Sequence, residues 1–156
     1  MKLFHTSDWH LGRMLYGRSL LEDQRWFLRQ VFLPAVERER PCCVLIAGDV
    51  YDRQIAPVEA IALFDETLSQ LLELGTKVCV IAGNHDGPGR MALLKNALRH
   101  SGVYFATTAT GSSAVGSAHF ILPAPSATTF SLTYSGSVPA QNGEVNLTFL
   151  RLRRPS

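Results

Sequence analysis

One stretch, Val44-Leu45-Ile46-Ala47-Gly48-Asp49-Val50-Tyr51-Asp52, constrains this chain more than any other. Four apolar residues run into a glycine and then into two carboxylates three positions apart. A short apolar run closed by a turn residue reads as a buried strand, so Asp49 is delivered to the end of one. A carboxylate there is costly unless something positive meets it, and a metal ion does so with oxygen ligands already held in place. The design recurs twice. Leu3-Phe4-His5-Thr6-Ser7-Asp8-Trp9-His10 ends in Asp-x-His, and Val78-Cys79-Val80-Ile81-Ala82-Gly83-Asn84-His85-Asp86 ends in Asn-His-Asp. Three strands, each carrying N or O donors at its C-terminal end, should converge on one site.

The segments between them alternate in kind. Residues 2–6 read as a first strand, followed by a loop from Leu11 to Ser19. Leu21, Trp26, Phe27, Val31 and Val36 predict a helix from about Leu20 to Arg40, with Trp26 in the core. Pro34 should kink or split that helix, and Pro41 should stop it. A strand over Cys42–Ala47 precedes a second helix, with Pro57 at its first position. Its inward stripe is Ile61, Phe64, Leu68, Leu71 and Leu72, and Gly75 closes it. Then come a strand over Lys77–Ala82, a turn at Gly87-Pro88-Gly89, a helix from about Arg90 to His100 and a strand at Val103–Phe105. Strands alternating with helices predict an α/β fold of βαβ units with a largely parallel sheet. In such sheets ligands bind at the carboxyl ends of the strands, where all three motifs lie.

Length bounds the chain to one domain of the usual size, 156 residues. A formal charge of +2 is too small to argue for nucleic acid by itself. No apolar run approaches the ~20 residues of a membrane span, and no signal peptide is evident. Three cysteines, two of them adjacent (Cys42 and Cys43), make a poor disulfide framework. They read with Cys79 as buried, reduced thiols of a cytoplasmic protein. Character changes after Phe105: between Arg99 and Glu144 there is no Lys, Arg, Asp or Glu. Residues 1–105 therefore form one unit. Residues 106–156 form a second, Ser/Thr/Ala-rich segment, either with strands at Ala118–Leu122 and Ser131–Tyr134 or loosely ordered.

Asp8, His10, Asp49 and Asn84 together offer an imidazole, two carboxylates and an amide oxygen. That donor set suits Mn²⁺, Fe²⁺ or Zn²⁺ better than Ca²⁺. Asp49, on the central strand with two accepting oxygens, could bridge two ions. Paired ions activate a water and hold the attacking and leaving oxygens of a phosphoryl transfer. His85 could then protonate the leaving oxygen, with Asp52 or Asp86 fixing its ring. Asp52 and Asp86 also read as ordinary turn caps. Arg13, Tyr16 and Arg18 follow the first motif and could meet phosphates, as could Arg53; a solvated loop is the plain alternative. His5 reads as a packed strand histidine.

Asp8-x-His10, Gly48-Asp49-x-x-Asp52 and Gly83-Asn84-His85-Asp86, in that order, resemble the first three motifs of the calcineurin-like metallophosphoesterases. The wording His5-Thr6-Ser7-Asp8-Trp9-His10-Leu11-Gly12 and Ala47-Gly48-Asp49-Val50-Tyr51-Asp52 is similar to the bacterial DNA-repair nuclease branch of that superfamily. The resemblance covers roughly residues 1–105. It implies a layered metallophosphoesterase-like fold and cleavage of DNA phosphodiesters with two divalent ions, Mn²⁺ by expectation. Asp8 and His10 would hold the first ion, Asp49 would bridge, Asn84 would bind the second, and His85 would be the acid, oriented by Asp52. The implied setting is DNA repair and recombination in a bacterial cytoplasm, with a coiled-coil ATPase as partner, and a homodimer is possible.

The family completes its site with a later histidine and a Gly-His-x-His motif, whereas only His100 and His119 follow Asp86 here. The sequence therefore reads as a truncated or altered copy with impaired activity, prone to association where the sheet loses its cover. Two other functions compete with the nuclease. One is a phosphatase or cyclic-nucleotide phosphodiesterase on the same scaffold. The other is a half-domain that binds DNA or a partner without turnover.

Overall fold

The computed structural model describes residues 2–81, 83, 86, 98 and 100–105, and the backbone of 106, 115–122 and 128–135. The backbone divides into two compact units, Met1–Thr107 and Thr108–Ser156.

The first unit is built on four parallel strands, β1 (Leu3–Thr6), β4 (Cys43–Ala47), β5 (Lys77–Ile81) and β6 (Val103–Ala106), in the order β1-β4-β5-β6. Their register places Thr6 beside Ile46, Ala47 beside Ile81, and Ile81 beside Ala106. Every residue of β4 is buried. This explains its unbroken apolar run: a central parallel strand is covered on both faces and has no polar alternation. Between β1 and β4 the chain forms a two-stranded ribbon, β2 (Met14–Leu15) and β3 (Arg18–Ser19), then α1 (Leu21–Phe27), a wider π turn (Leu28–Phe32) and α2 (Leu33–Glu39). A single helix, α3 (Val58–Glu73), links β4 to β5. These crossover helices bury Leu28, Leu33, Val36, Ala60, Leu63, Phe64, Leu68 and Leu71 with Val44, Ile46, Val78, Val80 and Val103 in one core.

The ribbon lies inside the expected loop. Its two-residue connection, Tyr16-Gly17, has φ of 48° and 80°, as a twist-matched tight hairpin requires at both central positions. Tyr-Gly is a weaker signal than Asn-Gly, which is why the spacing missed it. The helix is split, as expected, by the π turn that precedes Pro34. Pro34 occupies the first turn of α2. Having no N–H for the residue 30 carbonyl, it is accommodated by the π turn just before it, a recognised way to absorb an extra residue. That extra residue rotates the apolar face. Leu28 and Leu33, five apart, are both buried, while Trp26, Phe27 and Val31 are exposed. Trp26 is therefore a surface residue and not part of the core.

In α3 the inward face is Ala60, Leu63, Phe64, Thr67, Leu68 and Leu71. Ile61 is exposed, because small Ala60 and the back-bonded Thr67 (Oγ1 to Leu63 O, 2.7 Å) occupy the close-approach stripe. Pro57 is the residue before the first helical position. The far end closes as expected: Gly75 N–H donates to Leu72 O (2.9 Å) and Thr76 N–H to Leu71 O (3.1 Å), the paired bonds of a glycine-terminated helix. Cys43 and Cys79 are buried, 3.6 Å apart at sulfur. Cys42 is exposed, because it precedes the strand and points its thiol to Lys2 O. Most of the expected helix from Arg90 to His100, and the Gly87-Pro88-Gly89 turn, lie outside the described residues; Leu98 packs against the core.

The second unit contains an antiparallel pair, β7 (Val115–Leu122) and β8 (Thr128–Ser135), with Val115 opposite Ser135 and Leu122 opposite Thr128. Among the described residues no helix is long and apolar enough to cross a membrane.

Candidate metal centre

Parallel strands present all their C-terminal ends on one rim, and β1 and β4 do not stop pairing where the sheet ends. Asp8 N–H donates to Gly48 O (3.2 Å), His10 N–H to Asp49 O (2.9 Å) and Leu11 N–H to Val50 O (2.9 Å), and Asp52 N–H returns to Leu11 O (3.2 Å). The two post-strand loops are thus laced together by their backbones. The lacing uses left-handed residues: Asp8, His10 and Asp49 have φ of 56°, 44° and 49°. Asp and His are among the few side chains that tolerate this region. The conformation still costs on the order of 1–3 kcal/mol per residue, and it persists only where the surroundings over-determine it. Here it swings three side chains to the same side of the rim.

The outcome is a cluster in which one donor atom each from Asp8, His10 and Asp49 lies within 4.8 Å of the others. Two ligands on opposite sides of one ion, at about 2.2 Å each, stand roughly 4.4 Å apart. The observed spacing therefore accepts a divalent ion after small side-chain rotations. His10 Nε2 stands 3.9 Å from Asp8 Oδ1, between the adjacent and opposite separations of such an ion. Asp49 is buried while Asp8 is half exposed, so the cluster opens to solvent on the β1 side. The donor set fits a borderline divalent cation. Asp52 Oδ1 lies 3.8 Å from His10 Nδ1, too long for a hydrogen bond but close enough for charge to be felt.

Two glycines make the β4 end fit the β5 end. A Cβ on Gly83 would run into the Asp49 backbone nitrogen and Oδ1, and one on Gly48 would meet Gly83 Cα at 3.1 Å. The β4 and β5 loops are then tied by Asp86, whose carboxylate is wholly buried. Asp86 Oδ2 accepts from Val50 N (3.1 Å) and Gly83 N (2.8 Å), and Oδ1 accepts from Tyr51 N (2.8 Å). Three backbone donors compensate the buried charge. Asp86 therefore clamps the two loops, a long-range role that neither sequence expectation for it had included. Its only sequence signal is a carboxylate three residues after a strand-ending glycine.

Around the cluster, Trp9 stacks edge-on against Phe32 and Phe64 and donates Nε1–H to Thr6 Oγ1 (2.8 Å). Tyr51 also packs edge-on against Phe64. Burial pushes its phenol well above the usual range, and Asp86 and Asp65 add to the shift. His5 is exposed on β1 and not packed as expected; partial desolvation still holds its imidazole below its ordinary value, against the opposing pull of Asp8. Arg13, Tyr16, Arg18 and Arg53 are all exposed. Asn84 and His85 lie outside the described residues, as does the side chain of His119. His100 is exposed after the residue 98 helical position.

Known proteins share this arrangement of sequence. Over 92 residues the chain is 48% identical to SbcD, the nuclease component of SbcCD, from Staphylococcus epidermidis, an alignment that takes in 58% of this chain and 24% of that protein. The chain thus spans about a quarter of the length of that relative. The model of the family described as calcineurin-like phosphoesterase matches residues 1–147, running past the βαβ unit into the uncharged segment. Since that match takes in nearly the whole chain, this protein belongs to the calcineurin-like phosphoesterase family.

Proposed function

We propose that this chain carries the first half of a two-metal centre that hydrolyses DNA phosphodiesters. The carrying observation is the convergence of Asp8, His10 and Asp49 within 4.8 Å at the C-terminal rim of a parallel sheet. Asp8 and His10 would hold one divalent ion, Asn84 would help to hold a second, and Asp49 would serve both. Mn²⁺ is the proposed ion, one of the three, with Fe²⁺ and Zn²⁺, that this donor set suits. Bound ions supply a nucleophile at neutral pH and offset the charge that develops on the phosphoryl oxygens. The chain's own residues do the rest. His85 would donate a proton to the leaving oxygen with Asp52 orienting it; Asp52 Oδ1 itself lies 3.8 Å from His10 Nδ1. The burial of Asp49 and the clamp through Asp86 keep the donors in place before any ion arrives, so little is lost to reorganisation.

DNA is the proposed substrate because exposed Arg13, Tyr16 and Arg18 follow the first motif immediately. Arg13 N–H donates to His10 O (3.1 Å), so the basic ribbon starts at the metal-binding loop. Arg53 stands one residue after Asp52. These side chains suit phosphate contact without base readout. A coiled-coil ATPase is the proposed partner by likeness to the SbcCD relative, the homodimer stays part of the same proposal, and DNA repair in a bacterial cytoplasm is the proposed setting.

The reading is tested by incubating the chain with Mn²⁺ and single-stranded DNA, double-stranded DNA, a cyclic nucleotide and a phosphomonoester in parallel. Preferential DNA cleavage supports it, and faster turnover of the monoester or the cyclic nucleotide moves the substrate class. Among the described residues the clustered donors are Asp8, His10 and Asp49 alone, which favours one second reading: a half-centre that binds Mn²⁺ and DNA without turnover. Anomalous scattering from Mn²⁺-soaked crystals counts the ions and separates the two.

A further inference from the structure

We infer that Gln24 is a positioning residue for the metal centre, acting through the backbone of the Asp8–Gly12 loop; this rests on the metal reading above. Gln24 lies in α1, fourteen positions from His10 along the chain. Its amide spends every strong group on that loop. Nε2 donates to Trp9 O (3.0 Å) and to His10 O (2.9 Å), and Oε1 accepts from Gly12 N–H (3.1 Å). A primary amide can do this because it holds two donors and an acceptor on one plane. Methionine has the length without the bonds, and glutamate has the acceptors without the donors.

The loop needs an outside brace. His10 is left-handed, and on the sheet side its N–H is tied to Asp49 O. Beside the loop lies a cavity of about 510 Å³ walled by Asp8, Trp9, Leu11, Gln24, Phe27 and Phe32. From the α1 side the loop backbone is held by the Gln24 amide. Gln24 closes the His10 carbonyl from that side, together with Arg13 N–H. Without it the left-handed loop loses three of the bonds that hold it, and any relaxation toward right-handed geometry would turn the imidazole away from Asp8 and Asp49. Partners that orient ligands from behind in this way typically carry about 10–100-fold in metal affinity.

The test measures Mn²⁺ affinity of the full chain from the loss of the free aquo-ion's paramagnetic resonance signal, for the unaltered protein, Gln24→Met and Gln24→Glu. The expected result is affinity weakened about 10–100-fold, more in Gln24→Glu, where an oxygen faces two carbonyls, than in Gln24→Met. Circular dichroism in the absence of metal should stay near that of the unaltered chain. A folded variant that binds within twofold of the unaltered chain overturns the inference. A measurement on the unaltered chain covers the case of variants that do not fold: exchange of the Gly12 amide hydrogen should slow when Mn²⁺ saturates the site. Equal exchange with and without Mn²⁺ overturns the inference. An unaltered chain that takes up no Mn²⁺ overturns the metal reading and this inference with it, whereas a binding chain with unaffected variants overturns this inference alone.

Discussion

The loop from Asp8 to Gly12 and the ribbon from Arg13 to Ser19 are consecutive in the chain and built on opposite terms. Both contain left-handed residues that are not glycine: Asp8 and His10 in the loop, Tyr16 in the ribbon. In the loop each is held by bonds to a second strand's loop, and Leu11 is buried beneath it. In the ribbon Tyr16 is fully exposed, with Met14 and Leu15 each about half exposed, and the antiparallel pairing of Met14 with Ser19 and Leu15 with Arg18 holds the turn. Backbone strain in the first region aims donors that need fixed geometry. In the second it closes a turn, and the side chains can adapt to a partner.

The comparison can be broken most sharply at Asp49. Asp49→Ala removes the buried member of the cluster, and Mn²⁺ affinity should fall by more than the roughly 100-fold that an outer partner carries, as titration calorimetry would read. Retained binding would mean that the rim does not hold the ion. Gly83→Ala comes next. The added Cβ collides with Asp49, so stability should drop by about 1–3 kcal/mol. The thermal midpoint would move by roughly 4–8 °C for each kcal/mol in a unit of this size, and Mn²⁺ affinity should fall as well. An unchanged midpoint would show that the β4 and β5 ends are not closely apposed.

Asp86→Asn keeps shape but leaves at least one of the Val50, Tyr51 and Gly83 amides without an acceptor, at about 1–3 kcal/mol. Chemical denaturation gives the loss, and faster amide exchange at Val50 and Tyr51 would place it. The smallest structural effect is expected in the ribbon. Arg13→Ala, Arg18→Ala and Tyr16→Ala should alter stability by no more than about 0.5 kcal/mol. Each arginine change should lower the salt dependence of DNA binding by about one unit of slope. A stability loss comparable to Gly83→Ala would erase the contrast between the two regions.

The legible parts were those in which one residue's requirement is local. Buried strands announced themselves because a strand covered on both faces must be apolar throughout, as β4 is. The end of α3 was readable because Gly75 can enter the left-handed cap with no steric cost. The candidate donors were readable because a polar group at the end of such a strand has few other reasons to be there. The illegible parts depended on phase and on distant partners. Buried Leu28 sets the phase of α1, so Trp26, two residues before it and about 200° round the helix, faces solvent. A small residue, Ala60, displaced Ile61 from the inward face of α3. Nothing local distinguishes Gln24 from the other polar residues of its helix, since its three partners lie 12 to 15 positions away.

By itself, then, the sequence determined the alternation of strands and helices, the rim on which the donors sit and the family to which their spacing points, since periodicity and strand-end chemistry are properties of short segments. Tertiary structure alone decided which side chains reach one another: that Asp8, His10 and Asp49 come within 4.8 Å, that Asp86 clamps two loops, and that Gln24 braces a third. Those facts depend on strand register, left-handed turns and the rotation of a helix. Each is settled by packing between residues tens of positions apart, and no local pattern records it.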